Sequence, residues 1–301
     1  MSAIAALRLA LVVGIVILGL KLVAYWVTGS VALLSDGLES IVNIVAALVA
    51  LFTVQMAARP PDVDHPFGHS KFEYLAAVLE GVLIVLAAVT ITRSAWIRLQ
   101  APLAISGLAV GGAVSLLASG LNAGLARYLV AVGRRVRSPA LVADGLHLWT
   151  DVMTSVGVVL GVGLAWLTGW WVLDPLLAML VAINVLRVGW KLIRDSVGGL
   201  VDEGLPQQDV QQIQQAIRTS MAGAQEVHDL KTRLAGRHTF VDFHLVVPSE
   251  MSVAEAHAIC DRLEAAVERT VPGSLVTIHV EPEYKAKHEG YVVRAGTSRK
   301  R

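Results

Sequence analysis

Six stretches of this chain are each long and apolar enough to cross a bilayer, and that property excludes most folds. A hydrocarbon core of about 30 Å takes roughly 20 helical residues to cross. No water is present there to satisfy backbone N–H and C=O groups, so each crossing stretch must be a helix. The windows are 5–27, 31–56, 72–93, 103–132, 141–167 and 171–193. The fourth is long and glycine-rich, so its true span is shorter or runs beyond the bilayer. With 55% hydrophobic and 16% charged residues, the whole chain lies outside the soluble norm and reads as a membrane protein with a soluble part. The first window lacks a small-residue cleavage signature and is followed by further apolar runs. It reads as a first span rather than a signal peptide.

The links between windows differ in charge. RPPDVDHPFGHSK (59–71) and GRRVRS (133–138) are charged, VTGS and LTGWW carry no charge, and RLQAP carries one. The positive-inside rule places the charged links and both termini in the cytoplasm, with the bundle in the inner (plasma) membrane. Lys21 lies inside the first window and is expected to snorkel or to pack against a carbonyl in the bundle. A net formal charge of +1 argues for neither a nucleic-acid nor an acidic partner. The only cysteine, Cys260, permits no intrachain disulfide and no thiolate cluster for a soft metal.

Charge becomes dense after Asp202. LPQQDVQQIQQAIRTS has a helical period, with Val210, Ile213 and Ile217 on one side. VHDLKTRLAG and HTFVDFHLVVP read as two strands around a turn at Gly236, the second alternating Phe240, Asp242 and His244 against Val241, Phe243 and Leu245. VAEAHAICDRLEAAVERTV is an amphipathic helix ending near Pro272-Gly273, and SLVTIHVEPEY a last strand. The fold class is therefore an all-α six-helix membrane bundle followed by an α+β unit of the ferredoxin-like kind. The expected divisions are a membrane domain over 1–199, a cytoplasmic domain over 200–284, and a tail without fixed structure over 285–301.

Two of the apolar windows carry the same polar pattern. LLSDGLESIVN (33–43) is echoed by LVADGLHLWTD (141–151), so that Asp36, Glu39 and Asn43 correspond to Asp144, His147 and Asp151. Residues four apart share a helical face, which pairs Glu39 with Asn43 and His147 with Asp151. Brought together, two carboxylates, an amide oxygen and an imidazole make four ligands, the number a tetrahedral divalent metal takes. Ionisable groups in membrane helices are costly and face a bundle interior or a pathway. The plainer alternative is hydrogen-bonded glue between helices, but two matched pairs in separate helices exceed what packing needs. Asp36 and Asp144, one turn earlier, serve either as outer-shell or proton-accepting groups or, the preferred reading, as structural bonds to backbone. Asn122 reads as an interhelical hydrogen bond.

Two further groups have ligand chemistry. The link 59–71 places Asp62, His65 and His69 three and seven residues apart, a candidate surface metal site set against the common unliganded loop histidine. The soluble part holds His228, His244, His257 and His279, with Glu281 two residues after the last. On strands, Asp242 and His244 face one way, as do His279 and Glu281. Any one of these histidines could be merely exposed; together they point to a metal cluster.

At this point the chain resembles the cation diffusion facilitator family over nearly its whole length. ADGLHLWTD is similar to the family's His-x-x-x-Asp element in the fifth span, and HPFGHSKFEYLAA to the segment opening span three. VHDLKTR, FHLVV, AEAHAIC and TIHVEP resemble the dimerising tail of the bacterial zinc and ferrous-iron exporters. The resemblance implies a homodimeric exporter of divalent metals, driven by inward proton movement. It implies transport-site roles for His147 and Asp151, a second site at Asp62, His65 and His69, and tail ligands at His228, His244, His257, His279 and Glu281. It also implies that Lys71 and Asp202 take the places of a lysine–aspartate bridge. The second span departs from the family pattern, which usually has His or Asp where Glu39 stands and Asp where Asn43 stands. That oxygen-rich set suits Fe²⁺ or Mn²⁺ as well as Zn²⁺.

The expected function is metal/proton antiport, with Zn²⁺ or Fe²⁺ as cargo and Zn²⁺ also as a structural or regulatory ion in the soluble domain. Mn²⁺, Co²⁺ or Ni²⁺ export and a non-transporting metal sensor are the alternatives. A membrane metalloenzyme would want HExxH or a similar motif, and the chain has no HExxH.

Overall fold

The computed structural model describes residues 2–28, 31–100, 108–170, 172–287 and 293–294. The side chains of 24, 27–28, 31–39, 108–115, 158–159, 161–163, 165–166, 174 and 293–294 lie outside that description. The chain forms two compact units, Met1–Val197 and Gly198–Arg301.

The first unit is a bundle of α1 (Ala3–Thr28), α2 (Val31–Ala57), α3 (Phe72–Gln100), α4 (Leu108–Val136), α5 (Pro139–Thr168) and α6 (Leu173–Leu200). The last turn of α6 enters the second unit. Five of these helices, α1 to α4 and α6, pass a length-and-hydropathy test for a membrane span among the described residues. The sixth, α5, is 30 residues long. Its start is fixed by Ser138, whose hydroxyl accepts from the Leu141 N–H, with Pro139 following; its end is a left-handed Gly169 at φ 70°. Outward faces carry large apolar side chains such as Phe52, Trp96 and Trp190, as a lipid-facing surface requires.

Inside the bundle the contacts are made by small residues. Ala6, Ala10, Ala50 and Ala126 pack with Leu7, Leu129 and Leu141 between α1, α2, α4 and α5. Ala77, Ile84, Ala88, Ala143, Val185 and Leu192 join α3, α5 and α6. At Gly81 and Gly189 the backbones of α3 and α6 come so close that a Cβ on either would lie 3.2 or 3.1 Å from the other's carbonyl oxygen. Lipid tails are as apolar as leucine, so this close van der Waals approach is what drives helix association. Lys21 is buried and donates to the Ser40 hydroxyl at 2.8 Å, so it neither snorkels nor relies on a carbonyl in that bond.

Two helices outrun their apolar windows. α3 continues to Gln100 past Arg93 and Arg98, and α6 to Leu200 past Arg194 and Asp195. Hydropathy marks only the part of a helix that faces lipid.

The second unit runs α7 (Gln207–Ser220), β1 (Glu226–Ala235), β2 (His238–Val247), α8 (Val253–Thr270), β3 (Ser274–Pro282), a 3₁₀ turn at Glu283–Lys285 and a short β4 (Val293–Arg294). The sheet order is β3-β2-β1-β4, with β2 and β3 parallel across α8 and the other pairs antiparallel. Gly236 turns the β1–β2 hairpin at φ 58°, which fits the left-handed first position of a two-residue loop. Ile213 and Ile217 of α7 and Ile259, Leu263 and Val267 of α8 cover Val241, Phe243 and Leu245 of β2. That leaves Asp242 and His244 on the other face, as the strand alternation requires. β4 falls inside 285–301, where the sequence reading expects no fixed structure. It pairs with Glu226 and Val227 of β1, so the free edge of β1 gives this polar segment a partner that its composition does not reveal.

α8 starts with a full capping box. The Ser252 hydroxyl accepts from the Glu255 N–H, and the Glu255 carboxylate accepts from the Ser252 N–H. The Ser252 hydroxyl also donates to the Glu255 carboxylate at 2.7 Å, and this bond, with that from the Ser252 N–H, holds the Glu255 carboxyl below its usual value. The carboxylate's contribution is therefore present above the ordinary glutamate pKa and is lost as pH falls through the depressed one. Ser252→Ala is expected to destabilise the second unit by about 1 kcal/mol. Urea unfolding at neutral pH checks this, and an unchanged midpoint would refute it.

Candidate metal centres

In the bundle, the echoed motifs of α2 and α5 interlock. His147 Nε2 lies 2.9 Å from Asn43 Oδ1, and the Asn43 amide donates to Asp151 Oδ2 at 2.7 Å. One side chain of α2 thus bridges both members of the i,i+4 pair on α5. The side chains of Glu39 and Asp36 lie outside the described residues; their Cα positions are on α2, one and two turns before Asn43. Asp144 is buried, and its Oδ2 has no hydrogen bond among the described residues. It lines a small cavity with Ser40, Asn43 and Asn122. Asn122 is buried on α4 and lines the same cavity.

The sequence reading passed over Glu80. This residue of α3 is 2% exposed, and its Oε2 lies 3.5 Å from His147 Nδ1. A carboxylate within an apolar window was visible in EYLAAVLEGVLIVL, and the cost argument applied to Glu39 applies to it equally. It escaped because it belongs to neither copy of the repeat. At the start of α3, Glu73 is likewise buried and accepts from the Ser138 hydroxyl, tying the starts of α3 and α5 together.

In the link before α3, Asp62, His65 and His69 converge. Asp62 Oδ1 lies 3.4 Å from His65 Nδ1, and Asp62 Oδ2 lies 3.2 Å from His69 Nε2. Gly68, at φ 83°, reverses the chain so that the two rings meet at 4.4 Å between centroids. The His65 backbone N–H donates to Asp62, and this bond, with the neighbouring imidazoles, lowers the Asp62 pKa below its usual value. The carboxylate is thus held in its ligand form to a lower pH than a free one.

In the second unit, strand register lays His228, His244 and His279 side by side across β1, β2 and β3. Glu281 reaches all three: Oε2 lies 3.3 Å from His228 Nε2, and Oε1 lies 3.3 Å from His244 Nδ1 and 3.7 Å from His279 Nε2. His228 Nε2 and His244 Nδ1 are buried without hydrogen bonds among the described residues. His228 Nδ1 rests against Glu226 Oε1 at 3.1 Å, an outer carboxylate that orients the ring. His257 makes no described contact with these histidines, although it lines a surface cavity together with Glu281. It projects from α8, is 73% exposed, and has Asp261 at 3.7 Å. Its helix covers the opposite face of β2, so the placement implied for it beside the other histidines does not arise within the described residues.

Asp229 joins the set and was also missed. Successive residues on a strand point to opposite faces, so the neighbour of His228 should face away. A bulge between His228 and Lys231 breaks that rule, with Asp229 at φ 53°. Lys287 bonds to the Asp229 carboxylate and keeps its pKa below the usual value.

The two polar knots outside the bundle share a metric. Two ligands held about 2.0–2.1 Å from one zinc at a tetrahedral angle lie about 3.3–3.4 Å apart. The Asp62–His65, Asp62–His69, His228–Glu281 and His244–Glu281 separations are 3.4, 3.2, 3.3 and 3.3 Å. The donor sets fit a borderline divalent cation such as Zn²⁺. In the bundle the 2.7 and 2.9 Å separations are those of direct hydrogen bonds, so a metal there must part Asn43 from its neighbours.

These features define a multi-spanning membrane protein with clusters of residues in both units that could hold a metal ion. Residues 7–201 match the cation efflux transmembrane domain, and 205–283 match the cytoplasmic domain of cation efflux proteins. The chain belongs to the cation efflux family, whose members are transporters rather than enzymes. It is 45% identical over 265 residues to an uncharacterized transporter of Synechocystis, covering 88% of this chain and 86% of that one. It is 34% identical over 277 residues to the cation-efflux pump FieF of Klebsiella pneumoniae, covering 91% and 92%. Among solved structures, the Zn form of CzrB is 50% identical and covers 29% of this chain and 98% of that one, at a TM-score of 0.28.

Proposed function

We propose that this protein exports divalent metal, Zn²⁺ or Fe²⁺ foremost, in exchange for protons across the inner membrane, with both termini in the cytoplasm. The observation that carries the reading is the His147–Asn43–Asp151 cluster, polar ligand groups bonded to one another between two membrane helices. Glu39, one turn from Asn43 on α2, is the fourth ligand of this site. FieF, similar over nine-tenths of the chain, is a cation-efflux pump, which supports the direction.

Exchange arises because metal and protons compete for the same atoms. Asn43 Oδ1 accepts from the Nε2–H of His147; metal takes that place on Nε2 when the proton leaves. Asp151 gives up its bond from the Asn43 amide at the same step. Rocking of the helices about this point then exposes the site to the other side, where protonation releases the cargo. No covalent chemistry is needed.

Asp62, His65 and His69 form a second metal site at the cytoplasmic mouth. His228, His244, His279, Glu281 and Asp229 bind a regulatory Zn²⁺ in the C-terminal unit, which joins two copies in a C₂ homodimer. Metal that binds the ordered unit and not the disordered one stabilises it, so export rises with cytosolic metal.

The test is reconstitution in proteoliposomes with Zn²⁺, Fe²⁺ kept reduced, and Mn²⁺ in parallel, an internal pH dye, and Asp151→Ala as control. Metal flux opposed by proton flux, both lost in the variant, is the expected result. Absence of flux for all three metals with C-terminal binding intact would leave a metal sensor instead.

A further inference from the structure

We propose that Glu80 is a positioning residue of the membrane metal site, acting through His147; this rests on the reading of that site given above. An imidazole has two nitrogens, and which one binds metal is set by what the other holds. Nε2 of His147 faces Asn43 Oδ1 at 2.9 Å, and Nδ1 faces Glu80 Oε2 at 3.5 Å. Asn43 Oδ1 can only accept, and the Glu80 oxygen is placed where it can accept from an N–H on Nδ1. Glu80 keeps the Nδ1 proton in place. Nε2 is then the one atom at which proton and metal trade. Without an acceptor behind Nδ1, the preference for a proton on that nitrogen weakens, and with it the presentation of the Nε2 lone pair to the metal.

Packing gives no other reason for a carboxylate at this position. Glu80 is 2% exposed, and neither of its oxygens has a hydrogen bond among the described residues. Its neighbours along the same face of α3, Ala77 and Ile84, belong to an apolar cluster that a leucine would extend. A buried carboxylate left without a partner is strongly unfavourable, so one at this position needs its partner. The described partner in reach is His147.

The experiment is Zn²⁺ transport by the full-length chain in proteoliposomes, comparing wild type, Glu80→Gln, Glu80→Ala and Asp151→Ala. Glu80→Gln keeps the shape and an acceptor oxygen but removes the charge. The expected result is a KM for Zn²⁺ raised about tenfold by Gln and up to about a hundredfold by Ala, the range seen when outer-shell partners of metal-binding histidines are removed. The maximal rate should change far less. The ¹⁵N spectrum of histidine-labelled protein, with the His147 signal identified by its loss in His147→Ala, adds a second readout. Wild type should show a proton on Nδ1, and Glu80→Ala should lose that preference. Unchanged KM and unchanged tautomer in both Glu80 variants, with Asp151→Ala impaired, would overturn the role of Glu80 alone. An Asp151→Ala that transports normally would overturn the underlying site reading as well. Should Glu80→Ala not fold, Glu80→Gln decides by the same two readouts. A lowered maximal rate with KM and tautomer intact counts against positioning.

Discussion

His147→Ala is expected to reduce metal-dependent flux to the level of empty liposomes and to weaken metal binding in the bundle by more than about a hundredfold. Loss of an outer-shell partner alone costs up to about that factor, and here the ligand itself goes. The effect is large because the ring is held from two sides. Nε2 is bonded to Asn43, which in turn donates to Asp151, and Nδ1 faces the buried Glu80. Truncation removes one ligand, frees the amide of Asn43 to rotate, and strands a carboxylate in the interior. The last of these makes the variant less stable as well, by several kcal/mol if Glu80 stays charged. Flux measured alongside thermal unfolding in the same detergent separates the two effects. His147→Asn keeps an amide N–H that can donate to Asn43 Oδ1 or toward Glu80, so it should recover stability before it recovers transport. A His147→Ala protein that still moves Zn²⁺ against protons at half the wild-type rate would remove the bundle cluster from the mechanism.

Much of this was legible in the sequence because membrane and strand geometry are strict. The period of 3.6 put Asn43 and Glu39 on one side of α2, and His147 with Asp151 on one side of α5. The repeat around Asp-Gly-Leu said that the two faces belong together. The alternation in HTFVDFHLVV separated the core residues Val241, Phe243 and Leu245 from His244. What escaped has definite causes. Glu80 lies on a third helix, and no spacing rule connects α3 to α5; only the packing of Ala77 and Ile84 against Ala143 brings them together. Asp229 was not singled out, because the bulge that turns it beside His228 is invisible to a period of two. His257 carried the right chemistry in a helix whose apolar side, Ile259, Leu263 and Val267, turns its ring to solvent. β4 is two residues long and is defined by the partner edge of β1, a property of the sheet and not of the segment.

Glu281→Ala should abolish most of the stabilisation that metal confers on the C-terminal unit. In wild type, saturating Zn²⁺ at roughly a thousand times Kd adds about 4 kcal/mol to unfolding, because the ion binds only the folded arrangement. Among the described residues Glu281 is the one carboxylate within 3.7 Å of His228, His244 and His279 together, which on the proposed reading makes it the negative ligand around which the three imidazoles are disposed. Its removal costs at least a tenfold loss of affinity by analogy with weaker outer-shell deletions, and a regulatory ion at fixed concentration then adds correspondingly less. Without metal the variant is also destabilised, by about 1–3 kcal/mol, since His228 Nε2 is buried and loses the group it faces. His257→Ala is the matched control. Its exposed ring on α8 pairs with Asp261 outside the cluster, so both the metal-free stability and the metal increment should stay within about 0.5 kcal/mol of wild type. Urea titrations of the three proteins, each with chelator and with Zn²⁺, give the four differences needed. If Glu281→Ala kept the full metal increment, the ion would have to sit on His228, Asp229 and His244 alone, and the third strand's histidine would have no part in holding it.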